Sequence, residues 1–160
     1  MSTSFAYTVI GVFIAGVLVA AGAIFPNPSR VSAADPGVIT GYAWSDTIGW
    51  ISLSGPGYGL SVDPSGVISG YGWSDNIGWV SANAGDLSSG CPSSPTPCTA
   101  TLVHGVLSGW LKASAGGGPQ SGGWDGFISL SGSGYGPTVI TGGSFSGYAW
   151  GSDVVGWVDF

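Results

Sequence analysis

From residue 37 to the end of the chain, apolar and polar positions change places at almost every step. That two-residue period belongs to a half-buried strand, not to a helix. Short runs rich in Val, Ile, Tyr and Trp are punctuated by Ser-Asp, Gly-Pro-Gly, Asp-Pro-Ser-Gly and Gly-Ser-Gly, which build tight turns. The spacing predicts about eight to ten short strands joined as hairpins, in an antiparallel meander or sandwich-like head. The first hairpin runs from Val38 to Trp44, turns at Ser45-Asp46-Thr47-Ile48 and returns from Gly49 to Leu53. Gly59 to Val62 and the Asp63-Pro64-Ser65-Gly66 turn then lead into the next unit.

Alternation sorts these residues onto two faces. One face is aliphatic and rich in glycine: Ile39, Gly41, Ala43, Gly49, Ile51 and Leu53, with counterparts such as Ile68, Val80, Phe145 and Val158. The other is aromatic with hydroxyls: Tyr42, Trp44 and Trp50, then Tyr71, Trp73 and Trp79, then Tyr148, Trp150 and Trp157. Because most tryptophans of small β domains are largely buried, the expectation is that the aromatic face is the core and that the glycines make room for a neighbouring sheet. The competing reading is an exposed aromatic platform, for stacking sugars or for a subunit interface.

The pattern is a repeat. GYAWSDTIGW (Gly41 to Trp50) returns as GYGWSDNIGW (Gly70 to Trp79), Trp44 becoming Trp73 at a spacing of 29. It returns again as GYAWGSDVVGW (Gly147 to Trp157). A longer period of 77 relates ISLSGPGYG (Ile51 to Gly59) to ISLSGSGYG (Ile128 to Gly136), as expected if a duplicated unit was itself duplicated. The third copy is degenerate: Lys112 stands where Trp44 would, and Trp110 and Trp124 read as lying outside the main register. The head therefore divides into repeat pairs at 37–81 and 105–160, joined by residues 82–104.

Phe5 to Phe25 is a 21-residue run without a charge. As a helix it would be about 31 Å long, enough to span a bilayer. Val31-Ser32-Ala33 before Ala34 could end a cleaved signal peptide, but no Lys or Arg precedes the run, and it is longer than the usual signal core. A persistent helix over 1–25 followed by a linker over 26–36 is the reading that fits better. Gly11 with Ala15, and Gly16 with Ala20, have the small-residue spacing that lets apolar helices approach closely. Self-association through this helix, and a membrane location before assembly, are the expected consequences.

Charge narrows the function classes. One Lys, one Arg and a net charge of −6 exclude the cationic face that nucleic acid requires. Cys91 and Cys98 flank a Pro-rich loop and are expected to form a disulfide, in an oxidising compartment outside the cell. No nucleophile elbow, phosphate loop or metal-binding signature occurs, and His104 is the only histidine. Asp46, Asp75 and Asp153 recur at equivalent turns, which speaks for turn structure more than for a glycosidase pair or a calcium site. Neither catalysis nor a cofactor or metal is expected.

Two resemblances add to this. Phe5 to Pro26 resembles the N-terminal helix of type IV pilins, which begins at Phe and commonly carries Pro 21 residues later; Val9 stands where pilins usually have Glu. The GYAWSxxIGW units resemble tandem phrases of a family of uncharacterised bacterial exported proteins, which implies a β-rich domain at the cell surface. The combined expectation is a structural subunit of a pilin-like extracellular filament, with helices bundled inside and β heads outside. The alternative is a membrane-anchored carbohydrate-binding or adhesive module that uses the Tyr and Trp face.

Overall fold

The computed structural model describes residues 37–88, 90–92 and 98–160. The expected apolar helix and linker, with Gly11, Ala15, Gly16 and Ala20, lie outside the described residues. Along the chain, β1 (Gly37–Ile39), β2 (Tyr42–Ser45) and β3 (Gly49–Ser52) form the first repeat, and β4 (Ser54–Gly55) and β5 (Tyr58–Val62) leave it. The second repeat is β6 (Ile68–Ser74) and β7 (Gly78–Ser81), followed by the short helix α1 (Ala84–Leu87). After the disulfide segment come β8 (Thr101–Val103), β9 (Val106–Ser108), β10 (Trp110–Ala113) and β11 (Phe127–Ser129). The last quarter holds β12 (Thr138–Val139), β13 (Phe145–Ser146), β14 (Tyr148–Trp150), α2 (Ser152–Val155) and β15 (Trp157–Asp159).

Four hairpins, β2–β3, β6–β7, β10–β11 and β14–β15, pair in sequence order, and β15 returns to β2. The result is a closed eight-stranded antiparallel barrel, not the expected sandwich. Each junction uses the same register, Ser52 opposite Trp73, Ser81 opposite Lys112, Ser129 opposite Trp150 and Asp159 opposite Trp44. Closure removes the open edges that a sandwich of tandem hairpins would leave. The flanking strands build around one end: β1 and β5 extend from β6, and β8, β9, β12 and β13 form a four-stranded sheet.

A left-handed glycine at the same place in every repeat produces this arrangement. Gly41, Gly70, Gly109 and Gly147 have φ of 102°, 96°, 90° and 120°. Each lets the chain turn from a flanking strand into the barrel, a conformation that costs a side-chain-bearing residue dearly. Their carbonyls accept equivalent bonds, from Leu53 N (3.0 Å), Ala82 N (3.0 Å), Leu130 N (2.9 Å) and Phe160 N (3.0 Å). Among the described residues fifteen strands form where eight to ten were expected, and these bends account for part of the difference: the predicted strand from Val38 to Trp44 is broken at Gly41, although β6 continues through Gly70.

The core is the aliphatic face, which corrects the expectation that the aromatic face is buried. Inside the barrel, neighbours across each hairpin combine Ala43 with Ile51, Gly72 with Val80, Leu111 with Ile128 and Ala149 with Val158. An eight-stranded barrel is just wide enough to be filled by side chains of this size. Ile48, Ile77, Trp124 and Val155 close the end with the hairpin turns, while Leu53, Leu60, Leu107, Leu130 and Phe145 close the other.

The Asp63-Pro64-Ser65-Gly66 turn between β5 and β6 is organised by the Asp63 carboxylate. Asp63 Oδ1 accepts from Ser65 Oγ (2.6 Å), Ser65 N (2.8 Å) and Val67 N (2.9 Å). The Ser65 hydroxyl first, then the Val67 amide, hold this carboxyl below its ordinary value of 3.8. A depressed carboxyl pKa contributes stability above 3.8 that disappears as pH falls through the folded value. Acid unfolding of Asp63→Asn, followed by circular dichroism, should therefore begin less steeply below that pH than in the parent chain.

Candidate functional site

The outer face of each hairpin carries the aromatic residues. In the first repeat Trp44 and Trp50 face each other across β2–β3 with centroids 4.7 Å apart, and Tyr42 meets Trp50 edge-on at 6.1 Å. The second repeats this with Trp73, Trp79 and Tyr71 (4.9 and 6.0 Å), the fourth with Trp150, Trp157 and Tyr148 (4.7 and 6.2 Å). Trp50, Trp79 and Trp157 remain 48%, 44% and 50% exposed. All nine predicted aromatic residues thus come together in threes, on three separate hairpins.

The Ser-Asp pair after each tryptophan has a use that alternation does not reveal. Trp44 Nε1 donates to Asp46 Oδ1 at 3.0 Å, and Trp73 Nε1 donates to Asp75 Oδ1 at 2.9 Å. Each turn carboxylate therefore ties down the indole two residues before it, which limits the rotamers of an exposed side chain. In the fourth copy an extra residue, within Gly151-Ser152-Asp153, is taken up by α2, and Asp153 makes no bond of this kind among the described residues.

The third repeat differs. Trp110 pairs with Ser129 as Tyr42 does with Ser52, so it occupies the Tyr42 position and lies within the register, contrary to expectation. Lys112 takes the Trp44 place, its Nζ 4.0 Å over the Phe127 ring and bonded to the Asp125 carbonyl. Trp110 and Phe127 are only 6% and 5% exposed, because Leu87 of α1 and the disulfide between Cys91 and Cys98 pack over them. The bridge is thus as expected, but its cysteines cover an aromatic pair instead of only marking an outlying loop. Reducing it should lower the unfolding free energy by about 2–3 kcal/mol in the chain-entropy account. Thermal melts with and without reductant, monitored by Trp fluorescence, would measure this.

Two residues that the alternation argument passed over complete the site: Tyr58 and its counterpart Tyr135. Tyr58 OH donates to Ser52 Oγ at 3.0 Å, and its ring meets Trp79 edge-on at 5.3 Å. The GPGYG phrase containing Tyr58 was the available signal, since it recurs as GSGYG. Tyr58, Tyr71 and Trp79, with Ser81, Asp86 and Lys112, line an open cavity of about 710 Å³. Asp86 Oδ2 accepts from Ser81 Oγ (2.5 Å) and from Tyr71 OH (3.2 Å), and Oδ1 has no partner among the described residues. The cleft thus combines braced apolar ring surface with a fixed carboxylate and an ammonium on its rim. No three His, Cys, Asp or Glu side chains converge into a metal-binding group among the described residues. His104 lines a separate surface hollow with Asp63.

Compared with known proteins, the chain matches no protein-family model, none of the curated proteins and no solved structure. The chemistry of the cleft itself therefore carries the functional reading.

Proposed function

We propose that the head is a binding module for neutral glycans, displayed outside the cell and tethered through the apolar segment at residues 5–25. The cleft around Trp79 is the observation that carries this reading. A pyranose presents C–H groups on its faces, which suit the negative face of an indole, and hydroxyls around its edge, which suit Ser81, Asp86 and Lys112. The edge contacts from Tyr58, Tyr71 and Trp73 hold Trp79 in place before binding, so little side-chain freedom is lost when a sugar stacks. A net charge of −6 disfavours uronates and other anionic chains. The preferred ligands are β-linked chains with equatorial hydroxyls, whose two faces are both apolar.

The module binds without cleaving. Asp86 is the only carboxylate among the described residues lining the cleft, and glycoside hydrolysis commonly uses a pair. The disulfide is compatible with placement outside the cell.

The test is a Trp-fluorescence titration of the full chain, held in a zwitterionic detergent without a sugar headgroup. Cellohexaose and chitohexaose are the neutral probes, with hexagalacturonate for comparison. Neutral hexasaccharides should bind and the uronate should not. Trp79→Ala should weaken apparent affinity about 30-fold or more, the ~2 kcal/mol of an aromatic anchor. Failure of both neutral probes to bind would refute the reading.

A second reading, a subunit of a pilin-like filament, draws on the small-residue spacing of Gly11, Ala15, Gly16 and Ala20. The exposed aromatic hairpins would then be lateral contacts between heads. Negative-stain electron microscopy of material sheared from cells distinguishes the two, because filaments support assembly and dispersed particles count against it.

A further inference from the structure

We propose that the head carries a second glycan site, around Trp157, on the opposite side of the barrel from the first, so that one molecule bridges two glycan chains. The inference rests on the reading of the Trp79 cleft and extends it from one site to two.

The second site reproduces the first nearly contact for contact. Tyr135 OH donates to Ser129 Oγ at 2.9 Å, as Tyr58 OH does to Ser52 Oγ at 3.0 Å. The Tyr135 ring meets Trp157 at 5.2 Å and 77°, against 5.3 Å and 79° for Tyr58 and Trp79. Tyr148 meets Trp157 at 6.2 Å and 72°, against 6.0 Å and 70° for Tyr71 and Trp79. Gly134, Tyr135, Tyr148 and Trp157 line a separate open cavity of about 430 Å³. Four rings, including Trp150, are thus held as Tyr58, Tyr71, Trp73 and Trp79 are.

The other two repeats do not offer the same site among the described residues. The first has Tyr42, Trp44 and Trp50, but no described tyrosine reaches Trp50 as Tyr58 reaches Trp79. The third has its Trp110–Phe127 pair buried beneath α1 and the disulfide. Two complete sites remain, on the second and fourth hairpins.

Barrel order determines how these sites are disposed. Around the closed sheet β3 and β2 lie between β6 and β15 in one direction, and β10 and β11 lie between β7 and β14 in the other. The β6–β7 and β14–β15 hairpins therefore sit diametrically opposite, and their outer faces point away from each other. One short oligosaccharide cannot occupy both, whereas two separate chains can. The sites differ in polar lining: the first has Asp86 and Lys112, and neither has a counterpart lining the second. The Trp79 site should accordingly bind more tightly, and the Trp157 site more weakly and less selectively.

Calorimetric titration with cellohexaose, on the full chain in the same detergent, tests the count. The parent chain should bind two hexasaccharides, Trp79→Ala only the weaker, Trp157→Ala only the tighter, and the double variant none. Light scattering with soluble hydroxyethyl cellulose tests bridging: the parent chain should crosslink the polymer and either single variant should not. One hexasaccharide per parent chain, with Trp157→Ala unchanged, would overturn the second site and leave the first reading standing. Two sites without a rise in scattering would overturn the bridging arrangement. No binding by the parent chain would overturn both readings. Because the ratio for the parent chain needs no substitution, the count is decided even if a variant fails to fold.

Discussion

Gly70→Ala is expected to destabilise the head by about 3–5 kcal/mol, a large part of the whole stability of a domain this size. Two costs combine. The backbone at Gly70 has φ of 96°, where an L side chain is strained by about 1–2 kcal/mol. A methyl there would also lie 2.0 Å from the Gly59 carbonyl oxygen, a backbone atom held in the β5–β6 ladder and unable to swing aside. Gly142→Ala separates the two costs. Its φ is 94°, but nothing lies within 4 Å of the added methyl, so it should lose only the strain, about 1–2 kcal/mol. Urea unfolding of the two variants measures the difference. Equal losses would show that the close approach of β5 to the bend does not matter.

Phe145→Ala should cost about 3–5 kcal/mol, the usual range for truncating a buried aromatic side chain. Phe145 is fully buried where the flanking strands cover the barrel end, and its ring lies 6.3 Å from that of Phe160. Trp50→Ala removes a larger side chain and should still cost only about 1–2 kcal/mol, mostly its edge contacts with Trp44 and Tyr42. The ordering of the pair is the prediction. An aromatic core would make Trp50 the more damaging loss, and an aliphatic core makes it Phe145. Denaturant titrations followed by far-ultraviolet circular dichroism avoid the change in fluorescence that removing a tryptophan causes.

Much of the fold was legible in the chain. Strand alternation, the Ser-Asp turns, the part of the first hairpin from Tyr42 to Ser52 and the pairing of Cys91 with Cys98 all depend on local chemistry. Residues near in sequence decide them, and the structure has them as read. The nine aromatic candidates lie in threes on the outer faces of three hairpins, because period-two alternation puts Tyr42, Trp44 and Trp50 on one face whatever the tertiary fold. Tyr58 and Tyr135 were missed as site residues. Each reaches its tryptophan from a different hairpin, and no local period connects Tyr58 with Trp79.

The place of Trp110 was misread for a related reason. In a degenerate repeat the insertion between Lys112 and Trp124 obscures the alignment, and only cross-strand register shows that Trp110 stands opposite Ser129 as Tyr42 stands opposite Ser52. Its burial beneath Leu87 and the disulfide depends on α1 folding back over β10 and β11, which no feature near Trp110 signals.

By itself the sequence determined that the head is β, that it is built from four related hairpins, and that three of them have one aliphatic and one aromatic face. Alternation divides a strand into two faces without saying which of them is inside. That choice belonged to the tertiary structure, because it depends on how the hairpins close. Eight strands closing on themselves leave an interior that Ala43 with Ile51, or Gly72 with Val80, can fill, and that a set of indoles cannot enter. Closure therefore turned the small residues inward and left Trp50, Trp79 and Trp157 on the surface, where a ligand can reach them.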